Sequence, residues 1–392
     1  MKSASEKNSS KRIGKPTWGI YHIYLYISAL VFRIMGVHLK IDRVGIDEIK
    51  EPALVLAPHI SLKDHIIVGL TLLPHRPTFV LSEHFMFTPV IGSVIRKFGH
   101  TITKKMFCPD TGTIRGILRA KNEGNIIVLF PEGRLNAVAR SQKVTKGTPE
   151  LVKKLGLPVY TITGNGAALV FPKWGKKYRK GDIKVETKYL FSANEVARLS
   201  VGEISERIDE AIYHDDEWAM KGCQYRTSKT AEGLDSILYR CPVCGEEFRI
   251  KSEGNEVRCE ACGFRTTLSD NYRFDNEYVR SVNAWYYLQK AMLSPDTVME
   301  DDIKIGAVNK HGHMDMEAGE GHLRVDEENL DLVGTVFGEP VELHKKTSDI
   351  GGAPYTPNGW FNLYYEKRLF YLIPPDKRRI VKYVNIIDTA SK

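Results

Sequence analysis

Short apolar runs alternate with longer amphipathic stretches over the first half of the chain. Two runs, at residues 53–58 and 126–130, are almost wholly apolar, which is typical of strands buried on both faces of a parallel sheet. Further strands are predicted at residues 76–81, 100–103, 159–163 and 183–190, and helices at 62–73, 85–98, 113–122, 147–155 and 200–214. The alternation predicts an α/β domain with a mostly parallel sheet and helices on both faces.

The pattern changes beyond about residue 270, where one helix is followed by many short strands. The helix is predicted at residues 278–292. Strands with turn signals between them are predicted at residues 304–308, 321–325, 330–336, 340–343, 359–365 and 368–372, and a last helix at 376–389. Antiparallel strands closed by one C-terminal helix resemble the architecture of a pleckstrin-homology-like or GRAM-like domain.

Length, composition and charge fit a multidomain globular protein with an uneven charge distribution. The 392 residues suffice for two or three domains, and 42% hydrophobic with 27% charged residues argues against bulk disorder. The net charge is +8, but residues 1–40 hold seven Lys or Arg against one Glu, whereas residues 301–392 hold twelve against fifteen acidic residues. The basic first half therefore favours anionic ligands and anionic membrane surfaces as partners.

Two polar residues follow the first apolar run at a spacing that suits acid–base chemistry. His59 comes directly after that run, and Asp64 lies five residues later. An imidazole oriented by a carboxylate can take a proton from a hydroxyl near neutral pH. Ser61 and Asp64 have the spacing of a capping box, so Asp64 is expected in the first helical turn, leaning back towards His59. The same spacing caps many helices without any catalytic role, and that alternative stays open.

A second polar group follows the other apolar run. Residues 130–134 read Phe-Pro-Glu-Gly-Arg. Because open α/β sheets bind ligands at the carboxyl ends of their strands, this group and His59 are expected to converge. Arg134 presents a fork of donors suited to a phosphate, and Gly133 lets the backbone approach a ligand closely. The alternative is a surface ion pair between Glu132 and Arg134.

The two motifs, in this order, resemble those of the 1-acylglycerol-3-phosphate O-acyltransferases and their glycerophospholipid acyltransferase relatives. The resemblance covers about residues 40–215. The chain departs from the family in having Pro58 where Asn is usual, and Arg134 directly after Gly133. Where a family strand commonly ends in Arg, this chain has Lys104 and Lys105.

The resemblance implies an acyltransferase that forms phosphatidic acid in phospholipid synthesis. An acyl chain would pass from a thioester donor, acyl-coenzyme A or acyl carrier protein, to the sn-2 hydroxyl of 1-acylglycerol 3-phosphate, with no catalytic cofactor. His59 would be the base and Asp64 its orienting carboxylate. The residues implied at the substrate are Glu132, Gly133, Arg134, Lys104 and Lys105. Another lysolipid acceptor and a non-catalytic lipid-binding scaffold remain as alternatives.

The first forty residues join a basic tail to an aromatic, apolar stretch. Five Lys or Arg among the first sixteen residues precede the stretch at 18–32. It is interrupted by His22 and is shorter than the ~20 residues that a spanning helix needs, so a peripheral helix in the membrane interface at the cytoplasmic face is expected. Packing of this helix on the protein's own core is the alternative. A basic aromatic loop at residues 171–180 is a second candidate contact, with a solvated loop as its alternative.

Four cysteines have the spacing of a zinc ribbon. Cys241 and Cys244 form one C-x-x-C pair, and Cys259 and Cys262 form a second. Fourteen residues separate the two pairs, and a Gly follows each pair. One structural Zn²⁺ held by four thiolates is expected, and thiol redox chemistry is the alternative. Four protein ligands leave the metal no open position, so it should not be catalytic.

These patterns predict five successive segments. They are a basic tail with an interfacial membrane helix (1–40), the acyltransferase domain (41–220), the zinc ribbon (236–268), a linking helix (275–298) and the β-rich domain (300–392). A zinc ribbon in a chain of pI 9.0 also fits a nucleic-acid-binding module. No nucleic acid partner is expected, because the positive charge lies away from the cysteines.

Overall fold

The protein forms two compact units in a computed structural model that describes residues 12–88 and 90–391. The first unit contains the chain up to Pro172 together with Arg179–Tyr225, and the second contains Lys173–Tyr178 and the chain from Arg226 onwards. The division into five segments made from the sequence stays a prediction.

The first unit begins with the aromatic helix that the sequence predicts, α1 (Trp18–Ile34), followed by a strand that it did not, β1 (Val37–Ile41). Helix α1 buries His22, Leu25 and Phe32 on one side. In the part of the chain that the structure describes, no helix has both the length and the apolar character to cross a membrane.

One sheet organises the first unit. Its other strands are β2 (Ala53–Leu56), β3 (Thr78–Ser82), β4 (Ile102–Lys104), β5 (Ile126–Leu129), β6 (Val159–Asn165) and β7 (Gly181–Phe191). Within the described residues the strand order is β1-β7-β6-β2-β5-β3-β4. Strands β6, β2, β5, β3 and β4 are mutually parallel, whereas β7 runs antiparallel to β6 and parallel to β1. The predicted mostly parallel sheet is confirmed.

Helices cover this sheet because its central strands carry apolar side chains on both faces. They are α2 (Asp64–Leu72), α3 (Ile91–Val94), α4 (Thr111–Asn122), α5 (Gly147–Leu155), α6 (Ala167–Val170), α7 (Ala193–Arg198), α8 (Val201–Ile212) and α9 (Asp216–Ala219). Leu54 and Leu56 of β2 share one buried cluster with Ile117 of α4 and Ile208 of α8. Strand alternation turns Val55 away from that cluster, and Val55 is 0% exposed, so the opposite face is covered as well.

The helix predicted at residues 85–98 does not form as one element. A 3₁₀ turn at Glu83–Phe87 and a π turn at Ile95–Gly99 flank the single-turn helix α3. Thr88 precedes a proline in the sequence, a position that disfavours helical backbone, and its ψ of 125° is extended. The prediction of one continuous helix over residues 85–98 was therefore wrong.

The second unit contains the ribbon, helix α10 (Val282–Ala291) and an antiparallel sheet. The ribbon strands are β8 (Ile250–Glu253), β9 (Glu256–Cys259) and β10 (Arg265–Thr267), in the order β10-β9-β8. The larger sheet consists, among the described residues, of β11 (Met299–Val308), β12 (Met314–Val325), β13 (Asn329–Val336), β14 (Glu339–Lys346), β15 (Tyr355–Thr356), β16 (Trp360–Tyr365) and β17 (Arg368–Ile373), in the order β14-β13-β12-β11-β17-β16-β15.

The C-terminal helix, α11 (Ile380–Ala390), supplies a largely buried apolar side to the second unit. It begins after a 3₁₀ turn at Lys377–Arg379, four residues later than predicted. An antiparallel β-rich region with a C-terminal helix is thus present, and its likeness to a pleckstrin-homology-like domain stays a prediction.

The basic aromatic loop offered as a membrane contact is largely engaged within the second unit. Trp174 is 5% exposed, and Lys173 Nζ lies 3.4 Å from the centroid of the Tyr355 ring. Lys176 pairs with Glu232. Trp174 is thus turned away from solvent, and the loop as a membrane contact stays a prediction.

Candidate active site

His59 and Asp64 form a hydrogen-bonded pair at the carboxyl end of β2. His59 Nδ1 lies 2.9 Å from Asp64 Oδ2. The His59 side chain is 29% exposed and that of Asp64 6%, so the carboxylate lies on the inner side of the ring. Because Nδ1 faces Asp64, Nε2 is the nitrogen left to exchange a proton with a substrate.

The start of α2 positions the Asp64 carboxylate. Asp64 Oδ2 accepts hydrogen bonds from the backbone N–H groups of Ile60 and Ser61, each at 2.9 Å, in addition to its bond with His59. One half of the predicted capping box is therefore present, namely the bond from Ser61 N–H to the Asp64 carboxylate. The other half is not formed, because Ser61 Oγ accepts from Lys63 N rather than from the N–H of Asp64. The helix consequently begins at Asp64, not at residue 62. Burial raises the pKa of Asp64, and the bonds from His59 and the two amides oppose that shift.

Glu132 is a buried brace between the two motifs. It is 2% exposed, and its Oε1 accepts the backbone N–H of His59 at 2.9 Å. Its Oε2 accepts from Asn136 Nδ2 at 2.6 Å and from Gln142 N at 2.7 Å. Burial raises the pKa of Glu132 to about 7 against these bonds. The carboxylate thus holds the backbone of His59 in place from the neighbouring strand end.

Ring stacking adds a second tie between the strand ends. The His59 ring stacks on Phe130, with centroids 4.7 Å apart and planes inclined by 30°. The backbone of Asn136 also donates to the carbonyl of His59 at 3.1 Å. The histidine is therefore held through its ring, its N–H and its carbonyl, which limits the motion of Nε2.

Gly133 has a backbone conformation that residues with a side chain rarely adopt, in tight surroundings. Its φ is +77°, and a Cβ there would lie 3.1 Å from Thr145 Cγ2 and 3.2 Å from Phe107 Cζ. Phe107 belongs to the loop after β4, so the Glu-Gly-Arg loop packs directly against that segment. These close neighbours are protein atoms, and the approach of the Gly133 backbone to a ligand stays a prediction.

Arg134 lies beside this group and is nearly buried. Its side chain is 6% exposed, and Nε and Nη2 donate to Gln142 Oε1 at 3.0 and 2.9 Å. The Gln142 amide oxygen thereby orients the Arg134 guanidinium. Gln142 therefore links Arg134 to Glu132, since its backbone N–H binds that carboxylate.

Lys104 and Lys105 lie at the same sheet edge but in a different cluster. Lys104 is the last residue of β4, and Lys105 follows it. In the sheet order β4 lies three strands from β2, a separation of roughly 14 Å at the usual strand spacing. The Lys105 side chain is 6% exposed, and its charge lowers the pKa of Glu83, which burial raises overall. Burial lowers the pKa of Lys104, and Asp110 opposes that shift. Hydrogen bonds join His59, Asp64 and Glu132 to one another and, through Gln142, to Arg134.

A second histidine–carboxylate pair, which the sequence did not signal, lies close behind the site. His214 Nε2 is 2.5 Å from Asp216 Oδ1, and both side chains are almost fully buried. Asp216 also accepts the N–H groups of Gly166 and Ala168. The backbone N–H of Ser141 donates to the His214 carbonyl. The next residue, Gln142, donates its backbone N–H to Glu132. This pair therefore anchors the segment on which the Glu132 brace depends.

The four cysteines of the second unit converge on one point. Their Sγ atoms all lie within 4.8 Å of one another, and the pairs Cys241–Cys262 and Cys244–Cys259 are each 3.8 Å apart. A tetrahedral Zn²⁺ with Zn–S bonds of about 2.3 Å places its sulfurs ~3.8 Å apart. The donor set and its spacing fit a structural zinc ion.

Comparisons with known proteins agree with the acyltransferase motifs and with the zinc ribbon. The family model described as acyltransferase matches residues 40–164. A zinc-ribbon model described as DNA-directed RNA polymerase, 7 kDa subunit, matches residues 235–268. Residues 40–164 thus carry an acyltransferase domain, and every residue predicted at its active site lies inside that range. No curated protein matches the chain.

Two solved structures are similar over part of the chain. One is the 1-acyl-sn-glycerophosphate (LPA) acyltransferase PlsC from Thermotoga maritima, at 18% identity over 49% of this chain and 79% of that chain, with a TM-score of 0.39. The other is SsgB of Streptomyces coelicolor, at 12% identity over 25% of this chain and 90% of that chain, with a TM-score of 0.16. Neither likeness is close enough to assign a substrate.

Proposed function

We propose that this protein transfers an acyl chain from a thioester donor to the sn-2 hydroxyl of 1-acylglycerol 3-phosphate, forming phosphatidic acid. The observation that carries the proposal is the 2.9 Å contact of His59 with a buried carboxylate inside an acyltransferase domain. Such a pair suits deprotonation of a lipid hydroxyl. The donor would be acyl-coenzyme A or an acyl carrier protein.

The proposed reaction needs one base and one orienting carboxylate. His59 Nε2 takes the proton of the acceptor hydroxyl as its oxygen attacks the thioester carbonyl carbon. The C–O bond forms, the C–S bond breaks, and the imidazolium returns the proton to the departing sulfur. Asp64 holds the ring through Nδ1 and stabilises the cation while it exists.

Recognition of the acceptor phosphate is assigned to the cations at the same sheet edge. Arg134 is nearest to the His59 group, and its orientation by Gln142 supports the role. Lys104 and Lys105, at the end of β4, would contact either the other side of the acceptor phosphate or the acyl thioester donor. Glu132 and Gly133 would not touch the substrate; they hold the loop that carries Arg134.

Peripheral attachment to the cytoplasmic face of a membrane is assigned to α1. The outward side of this helix carries exposed large apolar residues, namely Trp18, Ile20, Ile23, Tyr24, Tyr26, Ile27, Leu30, Val31 and Ile34. Residues 12–41 contain no acidic side chain, and Arg12, Lys15 and Arg33 flank or end the helix. An aromatic, apolar surface with only positive charge fits an anionic lipid interface.

Offering the full-length protein a panel of lysolipids with both acyl thioesters tests the function. Mass spectrometry of the products should find phosphatidic acid from 1-acylglycerol 3-phosphate, with much less product from uncharged or zwitterionic acceptors. Product from another lysolipid alone would replace the acceptor assignment. No acyl product from any pair would favour the lipid-binding scaffold.

Substitution of Arg134 should act mainly on the acceptor. We expect Arg134→Ala to lower kcat/KM for 1-acylglycerol 3-phosphate by roughly 10–100-fold, because one charge-assisted contact contributes about 1.5–3 kcal/mol. The KM for the thioester should change little, and preference over the uncharged 1-acylglycerol should fall. Steady-state kinetics with both acceptors measures this.

A matched variant separates charge from orientation at Arg134. Gln142→Ala removes the amide that orients the guanidinium but keeps the positive charge, so a smaller loss is expected. Arg134→Lys should restore part of the acceptor preference because it lacks the planar fork. Equal losses towards donor, charged acceptor and uncharged acceptor would instead indicate a structural role for Arg134.

A further inference from the structure

An exposed apolar tip follows β3 at the edge of the sheet where His59 lies. It consists of Val90, Ile91 and Val94, which are 76%, 52% and 49% exposed. The segment leaves β3 at Ser82, and β3, β5 and β2 are parallel, so their carboxyl ends share one edge. We refer to these three residues as the apolar tip.

Specific contacts hold the apolar tip in its outward position. Gly92 packs so tightly on the preceding 3₁₀ turn that a Cβ there would meet the Met86 carbonyl oxygen at 2.4 Å. Arg96 Nη1 donates to the same carbonyl at 2.5 Å, and Nη2 donates to Ser93 Oγ at 3.1 Å. Val90 adopts a φ of +62°, which β-branched residues rarely do. A built turn that keeps three apolar side chains in water indicates a surface that something covers.

Charge around the apolar tip narrows what can cover it. Residues 85–100 contain no acidic side chain, whereas Arg96 and Lys97 are both exposed. Lys97 Nζ lies 5.1 Å from the centroid of the Phe98 ring, a pairing of cation and aromatic ring that suits the headgroup region of a bilayer. Within residues 85–100 the apolar surface is flanked by positive charge alone, which favours an anionic lipid surface over an acidic protein partner.

The apolar tip is also continuous with the start of α1. The backbone N–H of Thr17 donates to the Phe98 carbonyl at 3.3 Å, and His100 Nδ1 lies 2.7 Å from the carbonyl oxygen of Ile13. Phe98 of the π turn and His100 just after it therefore contact the residues that precede the helix. The segment that carries the apolar tip is in this way tied to the start of α1, although the two are far apart in sequence.

We propose that the apolar tip is a second membrane-inserting element, which rests an anionic bilayer against the catalytic edge of the first unit. The inference rests on the proposed peripheral attachment through α1 and adds an independent contact to it. With both elements inserted, a lysolipid can present its headgroup to His59 without leaving the bilayer. The tip is thereby a determinant of interfacial substrate access.

Vesicle binding of the full-length protein tests the proposal without any assay of catalysis. Val90→Ser, Ile91→Ser and Val94→Ser combined should lower the partition coefficient on phosphatidylcholine–phosphatidylglycerol vesicles by at least about tenfold, because each apolar side chain is lost from the interface. Lys97→Gln should weaken binding to these vesicles and leave binding to pure phosphatidylcholine unchanged. Co-sedimentation at low and high salt measures both.

Val44 provides a matched control for Val90. Val44 is 72% exposed but lies between β1 and β2, in the loop that leads to the start of β2 rather than to His59. Val44→Ser should leave partitioning unchanged, whereas Val90→Ser should lower it about threefold or more. In a gain-of-signal version, the added emission of Val90→Trp should be quenched by brominated lipids and that of Val44→Trp should not.

The outcomes separate the inference from the proposed function. If the unaltered protein does not bind vesicles, peripheral attachment itself fails. If it binds, but the triple variant binds equally and Val90→Trp is not quenched, the apolar tip is not inserted. If sedimentation shows a dimer that the triple variant dissociates, a second copy covers the tip and the proposal is overturned. Loss of vesicle binding with unchanged transfer to a short-chain, water-soluble lysophosphatidic acid supports it.

Discussion

His59→Ala should lower the rate of acyl transfer by about 10²–10⁴-fold, because the acceptor hydroxyl loses its general base. The fold should survive, since the brace from Glu132 binds the backbone N–H of residue 59 and not its ring. Single-turnover rates, circular dichroism and vesicle binding measure the three properties. Undiminished transfer by the purified variant would eliminate the mechanism.

Two further variants test whether the effect belongs to this histidine in particular. His75 also pairs with a carboxylate, at 3.3 Å from Glu51, but lies at the other end of α2, so His75→Ala should leave the rate nearly unchanged. Asp64→Asn should lower the rate without weakening substrate binding to the same degree. Because Asp64 also accepts two backbone N–H groups, its variant needs a thermal unfolding curve beside the rate.

The order of strand, polar motif and helix was enough to predict where His59 and Asp64 form a pair. Parallel strands bring their carboxyl ends to one edge whatever the details of their loops, so His59 and the Glu-Gly-Arg loop had to meet there. The spacing of Ser61 and Asp64 likewise predicted that the carboxylate reaches back over the helix start. These features depend on local rules that a single sequence expresses.

The brace around His59 could not be predicted, because its partners are set by tertiary packing. Nothing in the residue types of Asn136 and Gln142 shows that both would bind one buried carboxylate. The pair of His214 and Asp216 lies more than seventy residues from Ser141 in sequence, yet it holds that segment. Polar groups of this kind become visible only when burial leaves them a single set of partners.

The segment before β4 shows the opposite error, in which a local pattern was trusted too far. Its apolar spacing predicted one continuous helix, but the chain turns at Thr88 and again at Val90, leaving three apolar residues exposed. Hydrophobic periodicity indicates that one face of a segment is apolar, but it does not indicate what that face packs against.

Removal of zinc should unfold the ribbon while the acyltransferase domain keeps its activity. The four thiolates would tie together three strands of three or four residues, a segment with a small core, so bound metal is expected to add substantially to its stability. Elemental analysis should find one zinc per chain, and Cys244→Ser should lower that value. Thermal unfolding should move down by about 2–4 °C for each kcal/mol lost, as expected for a unit of this size.

Cys223 supplies the matched control for the ribbon. It is a half-buried thiol of the first unit that belongs to no cysteine cluster among the described residues, so Cys223→Ser should retain both zinc and thermal stability. Transfer activity should persist in Cys244→Ser wherever the first unit stays folded, because the residues matched to the acyltransferase family end at 164, far from the ribbon in sequence. A fully stable protein without metal would reject the zinc assignment. Activity that falls in proportion to zinc, in protein whose first unit remains folded, would show instead that the ribbon contributes to catalysis.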